Sequence, residues 1–234
     1  MKKTSIYIVA IALFISSCAT LTSVISGATG GALSADEIGR GLKEALTVGI
    51  KNSSTKASAL DGYLGNNVIK LLFPPEAQKI ESRLRSIGLG NECDKFITAL
   101  NRGAEDAAKF AAPIFIDAIT KMTITDALSI LKGDKDAATQ YLKRTSTEAL
   151  VGAFSPVIES SLEKTNATKY YGDVVNLHNK IPLVQKLNPD LKQYATNKAI
   201  DGLFLLVAQE EAKIREDPLA RVSDLLKRVF GGNA

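Results

Sequence analysis

From Ser34 onward the apolar positions recur at helical spacing, and most runs begin at a capping residue and stop at glycine or proline. Ser34 and Glu37 have capping-box spacing, so hydroxyl and carboxylate each satisfy a free backbone N–H. Ile38, Leu42, Ala45, Leu46 and Gly49 then share one face, which predicts a first helix to about Ser53. Asp61-Gly62 and Asn66-Asn67 mark a loop. Pro74-Pro75 opens a helix from Glu76 to Ile87, with Ile80, Leu84 and Ile87 inward, Arg83 and Arg85 outward, and Gly88 as its stop. A third helix is expected from about Asn91 to Ala111, and Pro113 starts a fourth. Thr123 and Asp126 cap the next, which Gly133 ends.

Asp134 or Asp136 opens a long segment through Tyr141, Leu142, Leu150 and Phe154, and Pro156 is expected to end or kink it before Val157 to Lys164 continues. A helix from Tyr170-Tyr171 to Leu177 precedes an irregular stretch holding Pro182 and Pro189. Asp190 to Arg215 contains the run Gly202 to Ala208, apolar nearly all round, which reads as the buried central helix of a bundle. Pro218 starts a final helix with Leu219, Val222, Leu225, Leu226 and Val229 inward. β-branched alternation is missing, and no solenoid repeat is present. The pattern predicts an all-α, single multi-helix bundle-like domain of roughly eight to ten helices over residues 34–234.

Before Ser34 the pattern changes. Lys2 and Lys3 precede an apolar run from Ile6 to Ile15, then Ser16-Ser17-Cys18. This layout is an export signal ending in a lipobox, with residues 1–17 the lipoprotein signal peptide and Cys18 the residue to be lipidated. The alternative is an ordinary cleavage site with Cys18 incidental. The apolar run is far shorter than the roughly 20 residues of a membrane span. Several acyl chains give stable membrane anchoring where one does not. Ala19 to Leu33 carries no charge and is broken by Gly27, Gly30 and Gly31, so residues 18–33 read as a lipidated cysteine and flexible tether, about 20 Å in typical span. Ala19 to Ser23, directly after Cys18, hold no acidic residue. The expected location is the cell envelope, lipid-anchored in the outer membrane and facing the periplasm.

Lys and Arg number 29 against 25 Asp and Glu, and a cleaved leader takes Lys2 and Lys3 with it, which leaves near balance. With no basic block, nucleic acid is not an expected partner. Trp is absent, which weighs against an aromatic sugar platform. Once Cys18 is lipidated, Cys93 has no partner for an intrachain disulfide. Cys93 near a helix start could be a reactive thiol, but Glu92 and Asp94 disfavour its thiolate, and a half-buried helix cysteine is the favoured reading.

Several stretches resemble one family together: Gly41-Leu42-Lys43-Glu44-Ala45-Leu46, Asn101-Arg102-Gly103-Ala104-Glu105, Pro113-Ile114-Phe115 with Asp126-Ala127, Ala137 to Tyr141, Lys198 to Phe204, and Glu210-Glu211 with Ile214-Arg215, Pro218 and Val229-Phe230-Gly231. In this order they are similar to the bacterial family catalogued as domain of unknown function 4197, over about Leu33 to Gly231. Leu100 and Gly103 stand where methionine and alanine are expected, and Lys70 to Pro74 replaces a more basic, proline-richer segment. The resemblance implies an exported helical protein, commonly lipid-anchored, with no assigned activity and no catalytic residues.

Chemistry-bearing patterns are sparse. His178 is the single histidine and reads as a surface or helix-end residue, so a His-rich metal site is not expected. Asp134-Lys135-Asp136 lacks the rest of a calcium loop. There is no Gly-x-Ser-x-Gly elbow or phosphate-cradling glycine loop, and a Cys93–His178 dyad is weakly supported. No carboxylate pair is singled out by spacing. No cofactor, metal ligand or catalytic residue is assigned. What remains are polar residues set in apolar helical runs: Asn101, Arg102 and Glu105; Tyr141 and Arg144; Lys198 and Asp201. Asp201 is expected to be buried beside the Leu203–Val207 run and to need a cation, from Lys198, Arg102 or Arg144. These residues are either one polar pocket for an anionic ligand or a structural ion-pair network that fixes helix register; the second reading is favoured.

The expected function is a non-catalytic cell-envelope lipoprotein that meets the membrane through Cys18 and binds a partner protein or small ligand. A carrier of lipid or another hydrophobic ligand is the first alternative, and a periplasmic hydrolase the second. A carrier requires an elongated apolar cavity, and an enzyme requires convergent ionisable groups in a cleft.

Overall fold

The computed structural model describes residues 33–217 and 227–229. The residues read as signal peptide, lipidated Cys18 and tether, up to Ala32, and most of those expected to form a helix from Pro218 lie outside the described residues. The described chain is helical, and no strand occurs among those residues. The helices are α1 (Ala35–Ser58), α2 (Gln78–Ser86), α3 (Gly90–Ala108), α4 (Ala111–Lys121), α5 (Ile124–Lys132), α6 (Ala137–Lys164), α7 (Ala167–Asn179) and α8 (Leu191–Glu216), with a 3₁₀ turn at Pro75–Ala77 before α2.

Both expected capping boxes form. The Ser34 N–H donates to Glu37 at 3.0 Å while the Glu37 N–H donates to Ser34 Oγ at 3.2 Å. Thr123 and Asp126 repeat the arrangement at 3.0 and 3.1 Å. Asp190 caps α8 by accepting from the Gln193 N–H at 2.9 Å.

Helix α6 packs between α3 and α8, while α1 lies along α8 and contacts α3, α4 and α5. The shared core includes Leu42, Ile50, Phe115, Phe154, Ile158 and Leu203, and Phe115 meets Phe204 edge-on at 5.5 Å between ring centres. The residues of this main core run from Leu42 to Val207, so the helical part carries its own core. Helix α8 buries Gly202, Leu203, Phe204, Leu206 and Val207, but Leu205 is exposed.

Three expectations need correction. Helix α1 continues to Ser58, because Ser53, Ser54 and Ala57 are buried on its inner face. Pro156 neither ends nor splits α6, which runs unbroken from Ala137 to Lys164. A proline N–H is missing four residues after Gly152, and Gly152 and Pro156 both face solvent, where water can satisfy the released carbonyl. Ile87, expected to point inward, is 67% exposed just before Gly88, whose φ of +89° turns the chain out of α2.

The segment between α1 and α2 is irregular yet inserted into the core, with Tyr63, Ile69, Leu71 and Phe73 buried. Such a segment must find hydrogen-bond partners for its backbone away from water. Helix α3 supplies them.

Candidate functional site

Asn101 on α3 is fully buried, and its side chain closes a small circuit. It accepts from the Leu71 N–H at 2.9 Å and donates to the Leu71 and Ile97 carbonyls at 2.8 and 2.7 Å. One turn on, buried Glu105 accepts from the N–H groups of Tyr63 and Leu64, both at 3.1 Å. Arg102 pairs with Glu105 at 2.5 Å and with Asp61 at 2.8 Å. Tyr63 donates its hydroxyl to the Ala199 carbonyl at 2.7 Å, and burial, then the Glu105 charge, pushes that phenol far up. These groups tie the inserted segment to α3 and α8.

The other candidates stand elsewhere. Tyr141 reaches the Ala118 carbonyl at 3.4 Å, and the Arg144 guanidinium lies 5.5 Å from its ring centre. Asp201, expected to be buried, is exposed on α8 and faces Lys198 at 3.9 Å, itself half in solvent. The apolar run beside it begins at Gly202, and a helix turns about 100° per residue, so Asp201 points away from that face. Among the described residues no hydrogen bond or ion pair joins the three groups, and they do not form one pocket.

The buried acid of α8 is Glu211, which the sequence reading did not single out. It accepts from the Ala138 N–H at 3.0 Å, the Thr139 N–H at 2.8 Å and the Thr139 hydroxyl at 2.8 Å. It therefore caps α6 from another helix, whereas Asp136 at the N-cap makes no side-chain cap. Arg215 pairs with Glu211 at 2.9 Å and also donates to the Ile130 carbonyl at 2.9 Å. The i, i+4 spacing of Glu211 and Arg215 is visible in the sequence; their partners on α5 and α6 are not.

A separate feature has the form of a ligand site. Between α2, the first half of α3, the end of α6 and α7 lies a cavity of about 1130 Å³, at or above the ~300–1,000 Å³ usual for small-molecule pockets. One wall is the 3₁₀ turn with Ala77 and α2 with Ile80 and Leu84; the floor is α3 with Phe96 and Ala99; the far wall carries Ala167, Tyr171 and Val174. Phe73 and Phe96 lie 4.3 Å apart between ring centres, and Phe96 stacks near Tyr171 at 6.0 Å. Ile80, Leu84 and Phe96 are only half-buried although they face inward. None of the α2 residues is fully buried. The helix is amphipathic, and its apolar face, packed on the core through Ile80 and Leu84, also borders the cavity.

The charges around this groove are mostly committed. Lys95 pairs with Glu92 at 2.9 Å, and Arg85 pairs with Asp94 at 2.8 Å. Arg102, at the other end of the floor, is held by Glu105 and Asp61. Cys93 lies in the wall with its thiol pushed up by burial against the smaller, opposing effect of Arg85. His178, at the end of α7, contacts the Gln185 carbonyl at 3.1 Å. Among the described residues no hydrogen bond joins Cys93 to His178. Nor, among them, are three or more His, Cys, Asp or Glu side chains grouped to hold a metal ion. No described helix is long and apolar enough to cross a membrane.

The chain belongs to the family described as protein of unknown function (DUF4197), whose model matches residues 32–231. The resemblance read from the sequence is thereby borne out over nearly its whole span. No curated protein and no solved structure matches the chain.

Proposed function

We propose that this chain is a non-catalytic, lipid-anchored envelope protein whose helical domain holds a small hydrophobic molecule in the groove between α2, α3 and α7. The observation that carries the reading is the large cavity whose walls are built from Phe73, Ile80, Leu84, Phe96 and Tyr171. Apolar walls that face one another across a space of this size do not pack on each other, and an apolar ligand between them supplies those contacts. The lipobox at Cys18 supports anchoring, and the uncharged residues after it support outer-membrane placement on the periplasmic side. The hydrolase alternative finds little support here, since the groove's carboxylates are engaged by Lys95 and Arg85 and its thiol is disfavoured as a thiolate.

Because the core is self-contained, residues 19–234 can be tested without the anchor. A neutral polarity-sensitive dye such as Nile red should bind with one-to-one stoichiometry and brighten. Ile80→Trp, which fills the groove from a half-buried position, should abolish that signal while leaving the helical circular dichroism unchanged. Undiminished dye binding by Ile80→Trp would place the apolar site elsewhere and sink the reading. Anchoring is checked by metabolic acyl labelling, which Cys18→Ser should remove.

A further inference from the structure

Resting on the reading of the groove as a hydrophobic-ligand site, we infer that its ligand is an anionic amphiphile: one acyl chain along α3, and a carboxylate or phosphate head at Lys164. The floor from Glu92 to Arg102 advances ten steps along the helix, about 15 Å at helical rise, which an extended hydrocarbon chain of roughly a dozen carbons spans. The aromatic cluster of Phe73, Phe96 and Tyr171 lies along this path.

The head group is read from the charges. Five charged side chains border the groove: Glu92, Asp94, Lys95, Arg102 and Lys164. Both carboxylates are paired, Glu92 with Lys95 and Asp94 with Arg85. Arg102 is paired with two acids, Glu105 and Asp61. Lys164 has no hydrogen-bond or ion-pair partner among the described residues. It sits in the last turn of α6, one turn beyond Ser161, which lines the groove and packs beside Gly103 of α3. A long, flexible ammonium at the edge of an apolar groove suits an anion whose tail lies within it. A cationic head would be repelled by that ammonium, and a neutral head would gain no charge-assisted contact from it. A carboxylate head corresponds to a fatty acid and a phosphate head to a phospholipid fragment.

The test displaces Nile red from residues 19–234 with four chains of equal length: dodecanoate, dodecyl phosphate, dodecanol and dodecyltrimethylammonium, each below its micelle concentration. Dodecanoate, dodecyl phosphate or both should displace the dye about two- to five-fold more effectively than dodecanol, the scale of one exposed charge pair. Which of the two is stronger identifies the head. Lys164→Gln should erase that preference without changing dodecanol binding, while Lys51→Gln on the exposed surface of α1 should leave it intact. Lys164→Glu should shift the preference to the ammonium head. Because Lys164 is exposed, these variants should keep the parent melting temperature. Equal displacement by all four chains, or a preference that survives Lys164→Gln, would overturn the head-group inference and leave the apolar site standing. Failure of every chain to displace the dye would remove both.

Discussion

Glu105 and Glu211 do the same physical task from different helices: each buried carboxylate accepts a pair of backbone N–H groups and is balanced by an arginine one turn away. Removing one side of a buried pair leaves the other charge uncompensated. Glu211→Ala should therefore cost about 3–5 kcal/mol, and Glu211→Gln about 1–3, because it retains one acceptor. Asp201→Ala, on the exposed face, should stay within about 0.5 kcal/mol. Urea denaturation at unchanged m-value checks all three; an Asp201 effect as large as that of Glu211 would contradict the assignment.

Titration at residue scale has two signs. Burial, with Glu76 nearby, pushes Tyr171 and Tyr194 up to about 12, and Tyr63 is raised in the same sense. Their folded-state values exceed the ordinary tyrosine value of about 10, so the stability they contribute is complete below it and is lost as pH rises through 12. In the other direction, hydrogen bonds from Ser34 and Thr123 hold Glu37 and Asp126 below their usual range. That contribution is present above the ordinary carboxylate values and fades as pH falls through the lowered ones. Melting temperature followed from neutral pH to about pH 12 should decline once past the ordinary tyrosine value. A flat profile there would show that the phenols are not buried as described.

At the scale of elements, local signals held where the partner was local. Ser34–Glu37 and Thr123–Asp126 are contained within four residues, and both caps form as read. Asp136 stands at the N-cap of α6, one of the two positions read for it, but its side chain caps nothing; Glu211, from a helix more than 70 residues away, accepts the N–H groups instead. Pro156 illustrates the reverse case, a strong local breaker overruled by packing of Phe154 and Ile158 on the buried face. Pro156→Ala should restore one helical hydrogen bond and stabilise the fold by up to about 3 kcal/mol. Gly202 fixes how closely the inserted segment meets α8: an added Cβ would lie 3.0 Å from both Ile69 Cβ and Tyr63 Cε1. Overpacking costs about 1–3 kcal/mol against roughly 1 gained in helix preference, so Gly202→Ala should lower the denaturation midpoint. A raised midpoint would mean that Tyr63 and Ile69 are loosely held.

For the whole molecule, the helical class and the family were legible from periodicity and from the order of short motifs. The groove was not. Ile80 and Leu84 register as an ordinary inward face, and only the arrangement of α2, α3 and α7 shows that this face borders a cavity. Sequence pattern reports which side of a helix avoids water, not whether another side chain fills the space beyond it. The polar residues that drew notice instead, Asn101 and Glu105, serve the backbone of the inserted segment. The most direct measurement is native mass spectrometry of the full chain, gently isolated from the cells that make it, beside its Ile80→Trp variant. The parent should carry one added mass matching an acyl-chain amphiphile, and the variant should not; a parent with no added mass, or the same mass on both, would contradict a ligand held in the groove.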